Sequence, residues 1–427
     1  MAKRGVVLDS SSAPTAKPAS EPPIVSRSNP NKRAYVALAI ALFIIPSISI
    51  FLYRLKYSQP DVPPVESEIT EPGGPIKIGI DYQEILRENT ITSENETIRH
   101  YTYPSLAYVT PWNSKGYEIA KRFAHKFTHI SPVWYDLKSH DGKLVLEGRH
   151  NVDQNWISDV RNRGNSRILP RIVLNADPKE MLGSDELKQK ATDIIVSECR
   201  EMNYDGIVLE SWSRWMAYGV LYDPHLRNNA IEFVKSLGRA LHVVPGTAEK
   251  LELVYVIAPP YSDKLQAHDF GPEDLRRVNA DVDGFSLMTY DFSGPQNPGP
   301  NAPLEWIRFT LRLLIGNDTE STNLCRKILV GMNFYGNDYV ISGESGGGAI
   351  TGREYLGTLE KFRPQMEWEE MSKEHLFFYV DDDGSRHVVF YPSLMSIYVR
   401  LELARLHGTG LSIWEIGQGL DYFFDLL

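Results

Sequence analysis

The stretch Tyr204-Asp205-Gly206-Ile207-Val208-Leu209-Glu210-Ser211-Trp212 decides the fold, because it sets a wholly apolar run between a glycine and an acid. A strand without polar alternation is buried on both faces, as strands of parallel sheets are. An amphipathic helical run, Pro224 to Leu241, follows it. The same strand-then-helix unit precedes it three times: Leu106 to Thr110 with Gly116 to Phe127, His129 to Trp134 with Asp153 to Arg163, and Ile168 to Leu174 with Ser184 to Met202. Leu251 to Ala258, Val282 to Tyr290, Ile328 to Phe334 and Gly410 to Ile416 bring the expected strands to eight. Eight such strands predict an α/β chain folded as a (β/α)8 TIM barrel, not an open doubly wound sheet. No Gly-x-Gly-x-x-Gly turn follows the first strand to favour a dinucleotide fold.

Composition agrees with one large body plus extras. The chain has 427 residues, of which 42% are hydrophobic and 11% aromatic, enough for a core of barrel size. A net charge of -10 argues against nucleic acid as a partner, since phosphate binding needs a basic face. Neutral sugars stay compatible. Cys199 and Cys325 are the only cysteines, so one bridge or two unpaired core thiols are the alternatives. No His, Cys or carboxylate cluster has zinc spacing and no calcium loop matches, so neither metal nor cofactor is implied. Asp381-Asp382-Asp383-Gly384 joins two β runs and signals a hairpin turn before a metal loop.

Residues 1–33 carry Ser, Pro, Ala and Lys without apolar period, the composition of a disordered tail. Ala34 to Tyr53 is then a run of 20 residues without a charge, long enough to cross about 30 Å of hydrocarbon as a helix. Its late start and basic end, Arg54-Leu55-Lys56, fit an uncleaved signal-anchor better than a cleaved signal peptide. Lys3, Arg4, Lys17, Arg27, Lys32 and Arg33 precede it, while Asp61, Glu66, Glu68 and Glu71 follow. That asymmetry predicts a single-pass type II protein with a cytosolic N-terminus and a lumenal or extracellular body. Sequons at Asn95 and Asn317 would be used only on that side. Residues 54–76, rich in Pro, Glu and Gly, read as a stem, and 77–427 as the barrel.

Several motifs carry a resemblance. The opening stretch resembles the fourth barrel strand of family 18 glycoside hydrolases, D-G-x-D-x-D-x-E, with Val208, Glu210 and Trp212 at the three acidic positions. Ser286-Leu287-Met288-Thr289-Tyr290-Asp291 is similar to the family's sixth strand, Gly331 to Gly336 to its seventh, Gly410 to Glu415 to its eighth, and Ala107 to Trp112 to its first. Residues 337–393 match the small α+β insertion many members carry between strands seven and eight, which implies one wall of a groove. Tyr108 to Ser114, Thr128 to Trp134, Pro298 to Leu304 and Ile413 to Tyr422 resemble, more narrowly, the chitinase-like lectins of animals. The resemblance implies carbohydrate contacts at Trp112, Glu210, Trp212 and Met288, and further ones at Tyr290, Asp291, Tyr335 and Trp414.

In this family a terminal glutamate protonates the glycosidic oxygen, and an aspartate two residues earlier orients the substrate's acetamido group. Here Trp212 stands at the acid's position and Glu210 at the aspartate's. On a strand rising about 3.3 Å per residue, Glu210 would lie ~7 Å deeper than Trp212. Loss of a placed acid typically costs ~10²- to 10⁴-fold in rate, so no residue is assigned a catalytic role. Glu210 is either a buried carboxylate bonded to a barrel tyrosine or an acceptor for an acetamido nitrogen. Trp112, Tyr290 and Trp414 are either packing or sugar contacts, and Asp291 meets either a sugar hydroxyl or an arginine or backbone amides. Trp134, Trp212 and Trp215 form either a loop platform for sugars or an aromatic plug. Glu415 should face away from Trp414 into the helix layer, and Asp205 reads as a turn residue.

Two functions fit: a membrane-anchored protein binding chitin or related N-acetylglucosamine oligosaccharides without hydrolysis, and an active hydrolase with a relocated acid at Glu210, Asp291 or Glu415. A scaffold for a protein partner is a weaker third.

Overall fold

A computed structural model of the chain describes residues 71–91, 96–244, 250–260, 262–316, 322–343 and 346–427. The expected tail, the Ala34–Tyr53 membrane segment, most of the stem and both sequon asparagines, Asn95 and Asn317, lie outside the described residues. Among the described residues no helix is long and apolar enough to cross a membrane.

In chain order the strands are β1 (Ser105–Val109), β2 (His129–His140), β3 (Lys143–Glu147), β4 (Arg167–Ile168), β5 (Arg171–Leu174), β6 (Gly206–Glu210), β7 (Glu252–Ile257), β8 (Gly284–Leu287) and β9 (Ile328–Asn333). They continue with β10 (Gly336–Val340), β11 (Gly346–Ile350), β12 (Glu367–Glu369), β13 (Glu374–Val380), β14 (Arg386–Phe390) and β15 (Gly410–Trp414). Strands β1, β2, β5, β6, β7, β8, β9 and β15 pair in parallel in that order, and β1 pairs with both β15 and β2. The sheet is therefore a closed eight-stranded barrel wrapped by helices, as the strand count predicts.

Alternation explains its two apolar layers. Leu106, Tyr108, Val208, Val254, Val256 and Leu329 form one buried cluster, the filling of the barrel, while their neighbours Ala107, Ile207, Leu209, Leu253 and Tyr255 belong to the cluster shared with the helices. A small barrel is a packed core and not a pore, so function is confined to the loops at the C-terminal ends of the strands.

Three strands depart from expectation. β2 runs past Trp134 to His140 and folds back on β3 through Asp141 and Gly142, both with positive φ. The third expected strand is split into β4 and β5 by Pro170, which has no N–H for the ladder. The sixth ends at Leu287, because Thr289 N turns back to Leu287 O at 2.9 Å and Asp291 adopts a left-handed φ of 60°.

Strands β10 to β14 make a second, antiparallel sheet in the order β11-β10-β14-β13-β12, with the helix Gly352–Phe362 between β11 and β12. An ion pair at 3.0 Å joins Glu374 of β13 to Arg400 on the helix Leu394–His407. Glu374 also accepts from the amides of Asn301 and Ala302 at 3.0 and 2.7 Å, so the loop after β8 is pinned from behind. Asp381 to Gly384 form the β13–β14 hairpin turn, with the Asp381 carboxylate accepting from the amides of Asp383 and Ser385 at 3.1 and 2.9 Å. Cys199 is a free, buried thiol on the helix Asp185–Met202.

Candidate functional site

The site grows from how β6 begins and ends. At its start Gly206 has φ of 150°, and a Cβ there would sit 2.1 Å from Glu252 O; only glycine lets β6 lie against β7. Asp205 beside it accepts from Ile168 N at 2.7 Å and pairs with Arg161 at 2.8 Å. It ties strand ends together and takes no part at the mouth.

At its end β6 delivers Glu210 above Val208. Arg171 Nε donates to Glu210 Oε2 at 2.8 Å, Arg171 Nη2 contacts the same oxygen, and Ser213 Oγ donates to Oε1 at 3.1 Å. The two side chains are 13% and 12% exposed, so this is a largely desolvated pair with both carboxylate oxygens engaged. The guanidinium carbon lies 5.5 Å from the centre of the Trp414 ring. Tyr108 packs on the same tryptophan at 5.2 Å and donates to Ser286 Oγ at 2.8 Å. Arg171 is the residue that sequence reading missed, although it is the only charged residue in Ile168-Leu169-Pro170-Arg171-Ile172-Val173-Leu174.

Trp212 overturns its expected place. Ser211 leaves the extended region with ψ of -37° and Trp212 opens the helix Trp212–Ala217, so the alternation that would aim residue 212 inward stops at Glu210. The indole is 2% exposed, meets Phe270 edge-on at 5.0 Å and donates from Nε1 to His268 O at 2.7 Å. Trp134 and Trp215 are 3% and 0% exposed. All three tryptophans pack outside the barrel, between strands and helices, and form neither a loop platform nor a plug in the mouth.

The opposite side of the mouth holds a second group of polar residues. Tyr335 donates its hydroxyl to Asp291 Oδ1, Asn301 Oδ1 accepts from Asp291 N at 2.7 Å, and Tyr290 stands edge-on to Tyr335 at 6.3 Å. Partial burial pushes the Asp291 carboxyl above its usual range, opposed by the Tyr335 hydrogen bond. A non-glycine residue at positive φ is strained and is often held so at functional positions. The Tyr290 hydroxyl is also raised, first by burial and then by Tyr108, Asp291 and Glu210. Met288 and Trp414 are partly buried against the barrel filling, whereas Trp112 is 62% exposed on the loop after β1.

Glu415 faces away from the mouth, as alternation requires. It accepts from Asn113 Nδ2 at 2.5 Å and from Gly417 N at 3.0 Å, and burial pushes its carboxyl up to about 7. It is thereby excluded as a mouth acid. A cavity of about 300 Å³ lies on the outer helix layer at Lys115, Arg122 and Asp421, away from the mouth. Among the described residues no group of three or more His, Cys, Asp or Glu side chains could hold a metal ion.

The sequence profile of glycosyl hydrolases family 18 matches residues 105–419. Among characterised proteins, the chain is similar to the cortical fragment-lytic enzyme of Bacillus subtilis (strain 168), 24% identical over 300 residues that cover 68% of this chain and 61% of that enzyme. The chain thus spans less than two thirds of that relative's length. Among solved structures it is similar to the chitinase from Chromobacterium violaceum ATCC 12472, with TM-score 0.62, 20% identity, and 76% and 98% of the two chains covered. It is also similar to the GH18 chitinase from Cycas revoluta in complex with (GlcNAc)3, with TM-score 0.60, 14% identity, and 75% and 97% covered. At these identities the structural likeness shows the fold.

Proposed function

The chain belongs to glycosyl hydrolase family 18, and on that premise we propose that its barrel mouth binds oligosaccharides of N-acetylglucosamine without cleaving them. One observation carries the reading. At the end of β6, where the family's chemistry needs a free acid, Glu210 is held by Arg171 and Ser213 and Trp212 is buried outside the barrel. A proton cannot be delivered from either position. Tyr290, Asp291 and Tyr335 keep hydroxyls and a carboxyl at the mouth, groups suited to fixing a sugar's orientation. The likeness to chitinase domain-containing protein 1, carried by Tyr108 to Ser114 and Ile413 to Tyr422, supports a lectin-like role. Ring stacking worth about 0.5 to 1.5 kcal/mol per contact gives micromolar to millimolar affinity.

The test is titration of the detergent-solubilised chain with chitohexaose, with mass spectrometry of the mixture after prolonged incubation. Binding with the hexamer intact is expected. Hydrolysis abolished by Asp291→Asn would establish the second reading, an active hydrolase whose acid is Asp291; the exposed place of that carboxyl at the mouth, beside the Tyr335 hydroxyl, is the observation in its favour. We further propose that Ala34 to Tyr53 anchors the chain with its N-terminus cytosolic, on the strength of the uncharged run and the flanking charges. Protease added to intact microsomes should remove the tail and spare the barrel, and digestion of the barrel without detergent would reverse the orientation.

A further inference from the structure

Trp414, the floor of the mouth, is partly covered by the chain itself. The Arg171 guanidinium covers Trp414 at 5.5 Å, Tyr108 packs against the same ring, and Glu210 fixes the arginine in place. The Trp414 ring is left only partly exposed, which reduces the face it offers to a pyranose.

The loops after β6 and β7 offer an alternative, and it is built on Trp212. Three successive carbonyls of the second loop are taken from behind: Ala267 O accepts from Arg227 Nε at 2.9 Å, His268 O from Trp212 Nε1 at 2.7 Å, and Asp269 O from Arg227 Nη2 at 3.1 Å. Arg227 is itself fixed, by two bonds of 2.7 Å to Asp274 and by lying 5.3 Å over the Trp212 ring. The loop is therefore rigid where it carries His268. On its outer side the Tyr222 hydroxyl is hydrogen-bonded to His268 Nδ1 at 2.9 Å, with the rings 5.4 Å apart. Yet Tyr222 is 60% exposed. Both loops follow barrel strands and so belong to the functional face. An exposed aromatic ring with its orientation already fixed loses little freedom when a flat sugar face settles on it.

We propose that saccharide stacking in this chain has moved from the Trp414 floor to a rim subsite centred on Tyr222, and that Trp212 is the positioning residue that holds it. The proposal rests on the reading that the mouth binds N-acetylglucosamine oligosaccharides, and names the ring contact by which it does so.

Calorimetric titration of the detergent-solubilised full chain with chitohexaose tests it through three variants. Tyr222→Ala should weaken binding roughly three- to tenfold, Tyr222→Phe, which keeps the ring face but gives up the His268 hydrogen bond that fixes it, should fall between Tyr222→Ala and the unaltered chain, and Trp414→Leu should leave affinity unchanged within about twofold. Unchanged affinity in Tyr222→Ala overturns the subsite, as does Tyr222→Phe binding more weakly than Tyr222→Ala; Tyr222→Phe as weak as Tyr222→Ala would place the contribution in the ring's fixed orientation. A folded Trp414→Leu that no longer binds puts the contact back on the floor. Should Trp414→Leu fail to fold, the two variants of exposed Tyr222 still decide. Absence of chitohexaose binding by the unaltered chain would instead sink the reading of the mouth itself.

Discussion

The two sides of the barrel mouth have gone different ways. On the β5–β6 side Arg171 and Glu210 are spent on each other, and Trp212 on His268 O. On the β8–β9 side Asp291 stays exposed beside a partly exposed Tyr290 and takes the hydroxyl of buried Tyr335, and the loop carrying Asn301 is braced by buried Glu374. The difference lies in the backbone as much as in the side chains. β6 stops at Glu210 and turns at once into the helix Trp212–Ala217, whereas the chain after β8 passes through Asp291 in the left-handed region without entering a helix until Leu304. One side thus serves as structural support, while the other carries the residues that the proposed saccharide binding would use.

The largest expected effect lies on the supporting side. Trp212→Ala removes a ring that is 2% exposed and leaves His268 O without its donor, so it should cost about 3 to 5 kcal/mol in denaturant unfolding. A cost below about 1 kcal/mol would mean that the indole is not the support that the comparison makes it. Next comes Glu415, behind the floor. Burial holds its carboxyl at about 7 against an ordinary 4.5, so between those values the folded chain keeps a proton that the unfolded chain has lost. Its stabilising contribution is therefore complete below about pH 4.5 and is lost as pH rises to about 7, a decline on the order of 3 kcal/mol. Glu415→Gln should flatten that stretch of the stability–pH curve; an unchanged slope would show that the group ionises without penalty. Asp291→Asn, on the proposed binding side, should weaken chitohexaose binding by roughly 1 kcal/mol with little change in the unfolding midpoint. A fall in stability without one in affinity would reverse the roles of the two sides.

The barrel was legible because its evidence is repetitive. Each unit pairs an apolar run with an amphipathic one, and an error of a few residues at a boundary, as at Leu287, does not alter the count. The site was less legible because its decisive events are single residues. Nothing in Glu210-Ser211-Trp212 announces that the strand ends two residues before the side chain that matters, and alternation carried one step too far places Trp212 in the mouth. Arg171 was visible as a charge in an apolar strand, but its partner sits on the neighbouring strand, 39 residues later. Glu415, by contrast, could be placed from sequence, since Trp414 still lies within β15 and adjacent side chains there take opposite faces.

The smallest expected effect is also the sharpest test of that backbone difference. Val208→Asp, Glu210→Asp and Trp212→Glu together write the family's acidic spacing back into the sequence, and simple restoration would predict chitinase activity. The structure predicts none above background. Residue 212 opens a helix outside the sheet, so a glutamate there would lie against Phe270 and the His268 carbonyl, in a buried place where a carboxylate is costly. Val208 is fully buried in the barrel filling, where a second carboxylate carries the same penalty. A shortened residue 210 would also leave Arg171, 13% exposed, reaching for a retracted partner. Glu210→Asp with Trp212→Glu alone, which spares the filling, should be equally inactive and keeps the test readable if the triple variant unfolds. Mass spectrometry of chitohexaose incubated with each folded variant is the check. Cleavage products in either would mean that residues 211 to 213 swing into the mouth once the indole is gone, and that Trp212, not the end of β6, holds the two sides apart.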